Sequence, residues 1–121
     1  MTKNEYLEFC GTIAAAVSDT PFENDAESAV IRHRDTRKWF AVVMELNGKT
    51  IVNLKCDPDE ADFLRSAYEG VIPAYHMNKT HWNTVFLDSD VPEDEIIRMT
   101  MTSFKLTVKK PPRRRPDSSS G

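Results

Sequence analysis

Residues 39–56 read WFAVVMELNGKTIVNLKC, two apolar, β-branched runs joined by Asn47-Gly48. Asn-Gly is the strongest two-residue hairpin signal, because both positions tolerate the positive φ that a tight turn needs. A two-residue turn also sets the register: Leu46 faces Lys49, Val43 faces Val52, Ala41 faces Leu54 and Trp39 faces Cys56. Side chains alternate along each strand. Trp39, Ala41, Val43, Val52, Leu54 and Cys56 are therefore expected on one face, and Phe40, Val42, Met44, Ile51, Asn53 and Lys55 on the other. The face carrying Asn53 and Lys55 is the more polar and is expected to be the open one.

Working outward from this hairpin, residues 29–33 hold the β-branched pair Val30 and Ile31 and predict a short strand, followed by a charged turn at 33–37. Residues 2–17 predict the first helix. Thr2 and Glu5 stand at capping-box spacing, and Tyr6, Phe9, Ile13 and Val17 form an apolar stripe. Asp19-Thr20-Pro21 ends it, and 22–28 is a polar, acidic connection. After the hairpin, residues 57–68 predict a second helix. Asp57 is its N-cap, Pro58 its first residue, Glu60 completes a box-like pair, and Gly70 is the C-terminal cap. Strands are expected near 74–77 and 82–87 around the loop 78–81. Residues 92–108 predict a third helix, with Glu93, Asp94 and Glu95 where the helix dipole favours negative charge. Its apolar stripe is Ile97, Met101, Phe104 and Val108. The order is α-β-β-β-α-β-β-α, an α+β two-layer sandwich whose antiparallel sheet carries helices on one face.

The composition bounds what this domain does. With 121 residues the chain suits one domain at 1–108. The tail 109–121 is rich in proline and serine, has no apolar residue to bury and is expected to be disordered. It holds five cations against one carboxylate, so the formal charge of −3 resolves into +4 on the tail and −7 on residues 1–108. So acidic a domain argues against a large basic footprint. No apolar run approaches the roughly 20 residues that span a bilayer. The N-terminus lacks the apolar region of a signal peptide, and Cys10 and Cys56 form no disulfide framework, so a reducing cytoplasm is the expected compartment.

Residues 70–88, GVIPAYHMNKTHWNTVFLD, concentrate the groups capable of recognition. Together with NLKCDP at 53–58, KWFAVV at 38–43 and the VPEDEI helix start, the run GVIPAYHMNKTHWNTV resembles the MmcQ/YjbR family of small bacterial proteins. The resemblance extends to about Leu106 and leaves out the basic tail. It implies a frataxin-like (CyaY-like) α/β sandwich, which agrees with the order above. It also implies a DNA-binding role through a double-wing arrangement of sheet and hairpins, with no enzymatic activity to carry over.

For double-stranded DNA, Lys79 suits a phosphate, Asn78 and Asn83 suit hydrogen bonding, and Trp82 suits packing on sugar or base. Asn53 and Lys55 extend that surface, Lys38 and Lys49 lie at its ends, and Tyr75, His76 and His81 complete the set. Trp82 equally suits the core, and Asn78 equally suits a turn. The alternative partner is another protein, docked on the half-apolar face around Phe40, Val42, Met44 and Ile51. His76 and His81 lack a third ligand at zinc spacing, and Cys56 points towards the core, so neither a metal, a cofactor nor a nucleophile is expected. Weak iron binding by Glu5, Glu8, Asp19, Glu23, Asp25 and Glu27 follows only from the frataxin-like shape, and these acids show no ligand spacing.

Overall fold

The computed structural model describes residues 1–19 and 28–108. The expected helix break at Thr20-Pro21, nearly all of the 22–28 connection and the 109–121 tail lie outside them. Among the described residues the order is α1 (Lys3–Gly11), β1 (Ala16–Asp19), β2 (Ala29–His33), β3 (Trp39–Leu46), β4 (Lys49–Lys55), α2 (Pro58–Ala67), β5 (Val71–Pro73), β6 (Trp82–Phe86) and α3 (Glu93–Leu106). The six strands form one antiparallel sheet in the order β1-β2-β3-β4-β6-β5. The fold is an α+β two-layer sandwich, with one strand more than the sequence predicts.

That extra strand is β1. The capping box forms as expected, Thr2 Oγ1 accepting from Glu5 N–H at 3.1 Å and Glu5 Oε1 accepting from Thr2 N–H at 2.9 Å. The helix nevertheless stops at Gly11, and Ala16–Asp19 pairs antiparallel with β2. Of the expected stripe, Tyr6 is fully buried, Phe9 and Ile13 pack at the core's margin, and Val17 belongs to the strand. A four-residue strand is too short for local sequence to show a period. Residues 74–77 are likewise not a strand; β5 lies earlier, at Val71–Pro73.

The Asn47-Gly48 hairpin forms with both residues at positive φ, and Leu46↔Lys49, Val43↔Val52 and Ala41↔Leu54 pair as expected. The faces depart from expectation at one point. Between Ile31↔Ala41 and Arg32↔Trp39 the register of β2 and β3 slips, so Phe40 is the extra residue of a β-bulge. Phe40 therefore turns to the helix side, where it meets Phe104 edge-on at 5.1 Å. Trp39 turns to the helix-free side, with the Arg32 guanidinium 6.0 Å from its ring centroid. The expected Trp39–Cys56 core pair and the open-face position of Phe40 are both overturned by this single inserted residue.

α3 explains why the sheet opens there. Its Ser103 hydroxyl donates to Phe40 C=O at 2.5 Å and accepts from Lys55 N–H at 2.9 Å. The side chain thus stands where β3 and β4 would otherwise continue their ladder past Ala41↔Leu54. The buried face of α3 is Ile96, Met99, Thr100 and Ser103, not the expected stripe of Ile97, Met101, Phe104 and Val108, although Phe104 still packs at the core's edge. Small hydroxyl residues let the helix approach the sheet, and back-bonding from Thr100 to Ile96 C=O (2.8 Å) satisfies the buried hydroxyl. Thr100 Oγ1 can then accept from Tyr6 O–H at 2.9 Å, tying α1 to α3.

In α2, Pro58 occupies the first turn, but Asp57 makes no side-chain cap and Glu60 pairs instead with Arg98 at 2.9 Å. Gly70 is not in the left-handed region and caps no helix. Its requirement is space: an added Cβ would lie 2.1 Å from Ser89 Oγ, while Asp90 accepts from the Glu69 and Gly70 amides at 2.8 Å each. Those two hydrogen bonds hold the Asp90 carboxyl below its ordinary range.

Candidate functional site

The helices cover the face of Ile31, Ala41, Val43, Val52, Leu54 and Val85. The register places Val42, Asn53 and Thr84 in one row of the opposite face, with Lys55 beside Trp82 and Ile51 beside Phe86. This face is not bare. After β5 the chain returns across it, so that Tyr75, His76 and Met77 line an open groove of about 320 Å3 with Trp39, Val42, Met44 and Asn53.

A polar relay holds the loop there. The Tyr75 N–H donates to Thr84 Oγ1 at 2.7 Å, and the Thr84 hydroxyl donates in turn to Asn53 Oδ1. That fixes which end of the Asn53 amide is which: Nδ2 faces Met44, whose sulfur it meets at 3.6 Å. A thioether is a weak acceptor. Lys79 Nζ donates to Ala74 C=O at 2.9 Å, closing the loop from its other end. His76 takes φ 67° and its ring lies 4.0 Å from that of Tyr75. A non-glycine residue in the left-handed region is strained. The strain falls where the chain turns over the groove.

The expected site residues separate into groups. Asn53, Tyr75 and His76 line the groove together. Lys38 is exposed immediately before Trp39, while Lys55 and Trp82 pair on the open face at the same end of the sheet. Asn78 Oδ1 accepts from Thr80 and His81 N–H at 2.8 and 3.2 Å, a turn role; His81 itself is exposed, and its carbonyl accepts from Cys56 N–H. Asn83 departs furthest from a contact role. It points to the helix side, is 1% exposed, accepts from Arg65 Nε at 2.7 Å and donates to Ala61 C=O at 3.4 Å. Asn53 is 0% exposed, so it forms the groove floor rather than a projecting reader. Lys49 lies at the opposite end of the sheet, beside Glu69, Asp88 and Asp90.

Three residues of this architecture escaped sequence reasoning. Trp39 was expected in the core. Thr84 carries the relay, and Arg65 clamps the 79–82 turn through Asn83 and the Lys79 and Trp82 carbonyls. An arginine in the last turn of a helix reads equally as a dipole partner, so local sequence holds no signal for the clamp. Burial pushes the Cys10 and Cys56 thiols up to about 11, which keeps both protonated at neutral pH. Among the described residues no group of three or more His, Cys, Asp or Glu could hold a metal ion, and no helix is long and apolar enough to cross a membrane.

Residues 12–106 match the family described as YjbR. The chain belongs to the YjbR family. Among this family's members, "Uncharacterized protein YjbR" of Escherichia coli K12 is 33% identical over 108 residues, 89% of this chain and 88% of that protein. "Uncharacterized protein YyaQ" of Bacillus subtilis 168 is 37% identical over 99 residues, 74% of this chain and 83% of its own length. A crystal structure of a Pseudomonas syringae protein superposes with a TM-score of 0.81 at 33% identity, covering 88% of this chain and 99% of that one. A Deinococcus radiodurans protein described as a DUF419 domain gives 0.78 at 28% identity, covering 90% and 80%. The YjbR fold is thus shared along nearly the whole described chain.

Proposed function

We propose that this YjbR-family chain is a non-enzymatic binding module that contacts DNA through its helix-free sheet face and the loop folded over it. Charge placement carries the reading. Residues 29–38 contain Arg32, Arg34, Arg37 and Lys38 against Asp35, a net +3 within a domain of −7. Arg32 is paired with Asp19 at 3.1 Å, which leaves the exposed Arg34, Arg37 and Lys38 as the cations of this segment. The sheet register sets this segment at the end where Lys55, Trp82 and the 74–81 loop also lie. Cations beside partly exposed aromatic rings suit phosphates and bases together. The buried amides of Asn53 and Asn83 argue against readout of base-pair edges, so the proposed contact has little sequence preference. The two free, buried cysteines suit a reducing cytoplasm.

Salt dependence tests this reading. DNA affinity should fall linearly on logarithmic axes as salt rises, and Arg37→Ala with Lys38→Ala should reduce the slope by about 1 for each phosphate no longer neutralised. A salt-independent affinity, or none at low salt, overturns it. The apolar lining of the groove by Val42, Met44 and Met77 favours a second reading, a protein partner inserting an apolar side chain. Such binding would change little with salt.

A further inference from the structure

We propose that the chain self-associates head to tail: Phe63, exposed on α2 of one copy, inserts into the groove beside the Tyr75–His76–Met77 turn of the next. The inference goes beyond the DNA reading, needs only the groove, and is tested without DNA. Plug and socket lie on opposite layers of the sandwich, so one molecule cannot satisfy itself. The contact is heterologous, the helix layer of one copy against the sheet face of the next.

The plug is conspicuous because of what surrounds it. Phe63 is 67% exposed, and the exposed residues beside it on α2 are Asp59, Asp62 and Ser66, so most of an aromatic ring meets solvent in a polar setting. The socket suits such a ring. Val42 and the flexible thioethers of Met44 and Met77 line it, and methionine sulfur makes favourable contacts with aromatic edges. Asn53 at the floor is 0% exposed, so an inserted ring meets apolar walls and is not required to pair with its amide. Trp39 keeps its own contact with Arg32, 6.0 Å from its centroid, and serves as rim rather than as a stacking face. About 320 Å3 accommodates one ring. Charge selects a second copy over an arbitrary apolar partner. Residues 57–63 carry Asp57, Asp59, Glu60 and Asp62 with no cation. Lys38 precedes the rim residue Trp39, and Lys55 lies two residues past Asn53 on the same face, so a plug set among acids meets a socket bordered by cations. Arg32 and Arg34 stay on Asp19 and on the Ala14 and Ala16 carbonyls and are not required. The turn is held in advance by the Tyr75–Thr84–Asn53 relay and the Lys79–Ala74 bond, so insertion requires little ordering. One ring and its rim make a small contact, below the roughly 1,200 Å2 of standard interfaces, so association is weak and concentration-dependent.

Sedimentation equilibrium of the full chain should show a mean mass that rises with concentration up to about 1 mM, with concentration-dependent shifts of the Met44 and Met77 methyl resonances. Phe63→Ala keeps the socket and Met77→Glu keeps the plug. Each alone should weaken self-association roughly 10- to 150-fold, the range for losing one buried apolar side chain. Mixed one to one, the two variants should form a heterodimer as tight as the wild-type contact and stop at the dimer; a loss caused by misfolding would not be restored this way. Lys38→Glu, a change at an exposed side chain, should weaken association without altering the apolar lining. Association that survives Phe63→Ala, or a mixture that stays monomeric, overturns the proposal and places the contact on another surface. A chain that is monomeric at every concentration also overturns it; if N-acetylphenylalanine amide then shifts the same methyls, the socket takes an aromatic side chain of a different protein. DNA binding has its own salt series, so failure of self-association and failure of the DNA reading are separate results.

Discussion

His33 is buried with its imidazole stacked on Phe104 at 4.3 Å and set edge-on to Phe40 at 5.2 Å. Its Nε2 lies 2.7 Å from Thr107 Oγ1, whose own hydrogen is used on Ser103 C=O at 2.8 Å, so Nε2–H is the donor. Burial lowers its pKa below the ordinary 6.5. As pH falls through about 6.5 the unfolded chain takes up a proton that the folded chain resists. Stability contributed by this residue is therefore complete above that value and declines below it, until the folded group also titrates. The melting temperature should drop between neutral and mildly acid pH, with a component missing from His33→Gln, which keeps a donor but cannot titrate. An unchanged pH profile in the variant would remove His33 as the cause. Gly70 offers a second residue-scale test. Gly70→Ala drives a methyl to within 2.1 Å of Ser89 Oγ and 2.6 Å of Ser89 Cβ. Overpacking of this kind costs about 1–3 kcal/mol. Urea denaturation should show that loss, with partial recovery when Ser89→Gly is added.

At the scale of elements, α3 is the least expected piece. The expected stripe, Ile97, Met101, Phe104 and Val108, reads well on paper, yet Ile96, Met99, Thr100 and Ser103 face the sheet. One residue is about 100° of helix, so the helix is rotated by roughly that angle from the expected orientation. The decisive contact is polar. Ser103 satisfies both Phe40 C=O and Lys55 N–H at the point where the bulge ends the β3–β4 ladder. Ser103→Ala would leave one buried donor and one acceptor unpaired, each worth about 1–3 kcal/mol. Equilibrium unfolding should register the loss, and hydrogen exchange at the Lys55 amide should accelerate more than at Val52, which lies within the intact ladder. The same bulge sends Trp39 to the open face, so the groove depends on a helix that lies on the other side of the sheet.

Charge and shape work together only in the whole molecule. Residues 1–108 carry −7, and 109–121 add +4 without an apolar residue to bury. If the tail supplies only non-specific attraction, a chain ending at Val108 should bind every DNA probe more weakly and by the same factor. Its melting temperature should stay as in the full chain. Binding that is lost altogether with the tail would place the DNA contact in the tail rather than on the sheet face; fluorescence anisotropy at one salt concentration measures the difference.

Features set by neighbours in sequence were legible in the chain. The Asn47-Gly48 turn fixed its hairpin register, the Thr2–Glu5 box started the first helix, and the GVIPAYHMNKTHWNTV run carried the family. Each depends on backbone preferences and side chains a few residues apart. The candidate site was only half legible. Its loop is visible in the chain, but strand alternation places the wall residue Trp39 in the core and makes projecting readers of the floor residue Asn53 and the distant Asn83. Alternation fails where one extra residue enters a strand. Whether it enters was decided by Ser103, 63 residues from Phe40 and 48 from Lys55, bonding across the gap. Local sequence determines which way the backbone can go; which face a side chain shows depends on partners that only the folded chain brings within a hydrogen bond's reach.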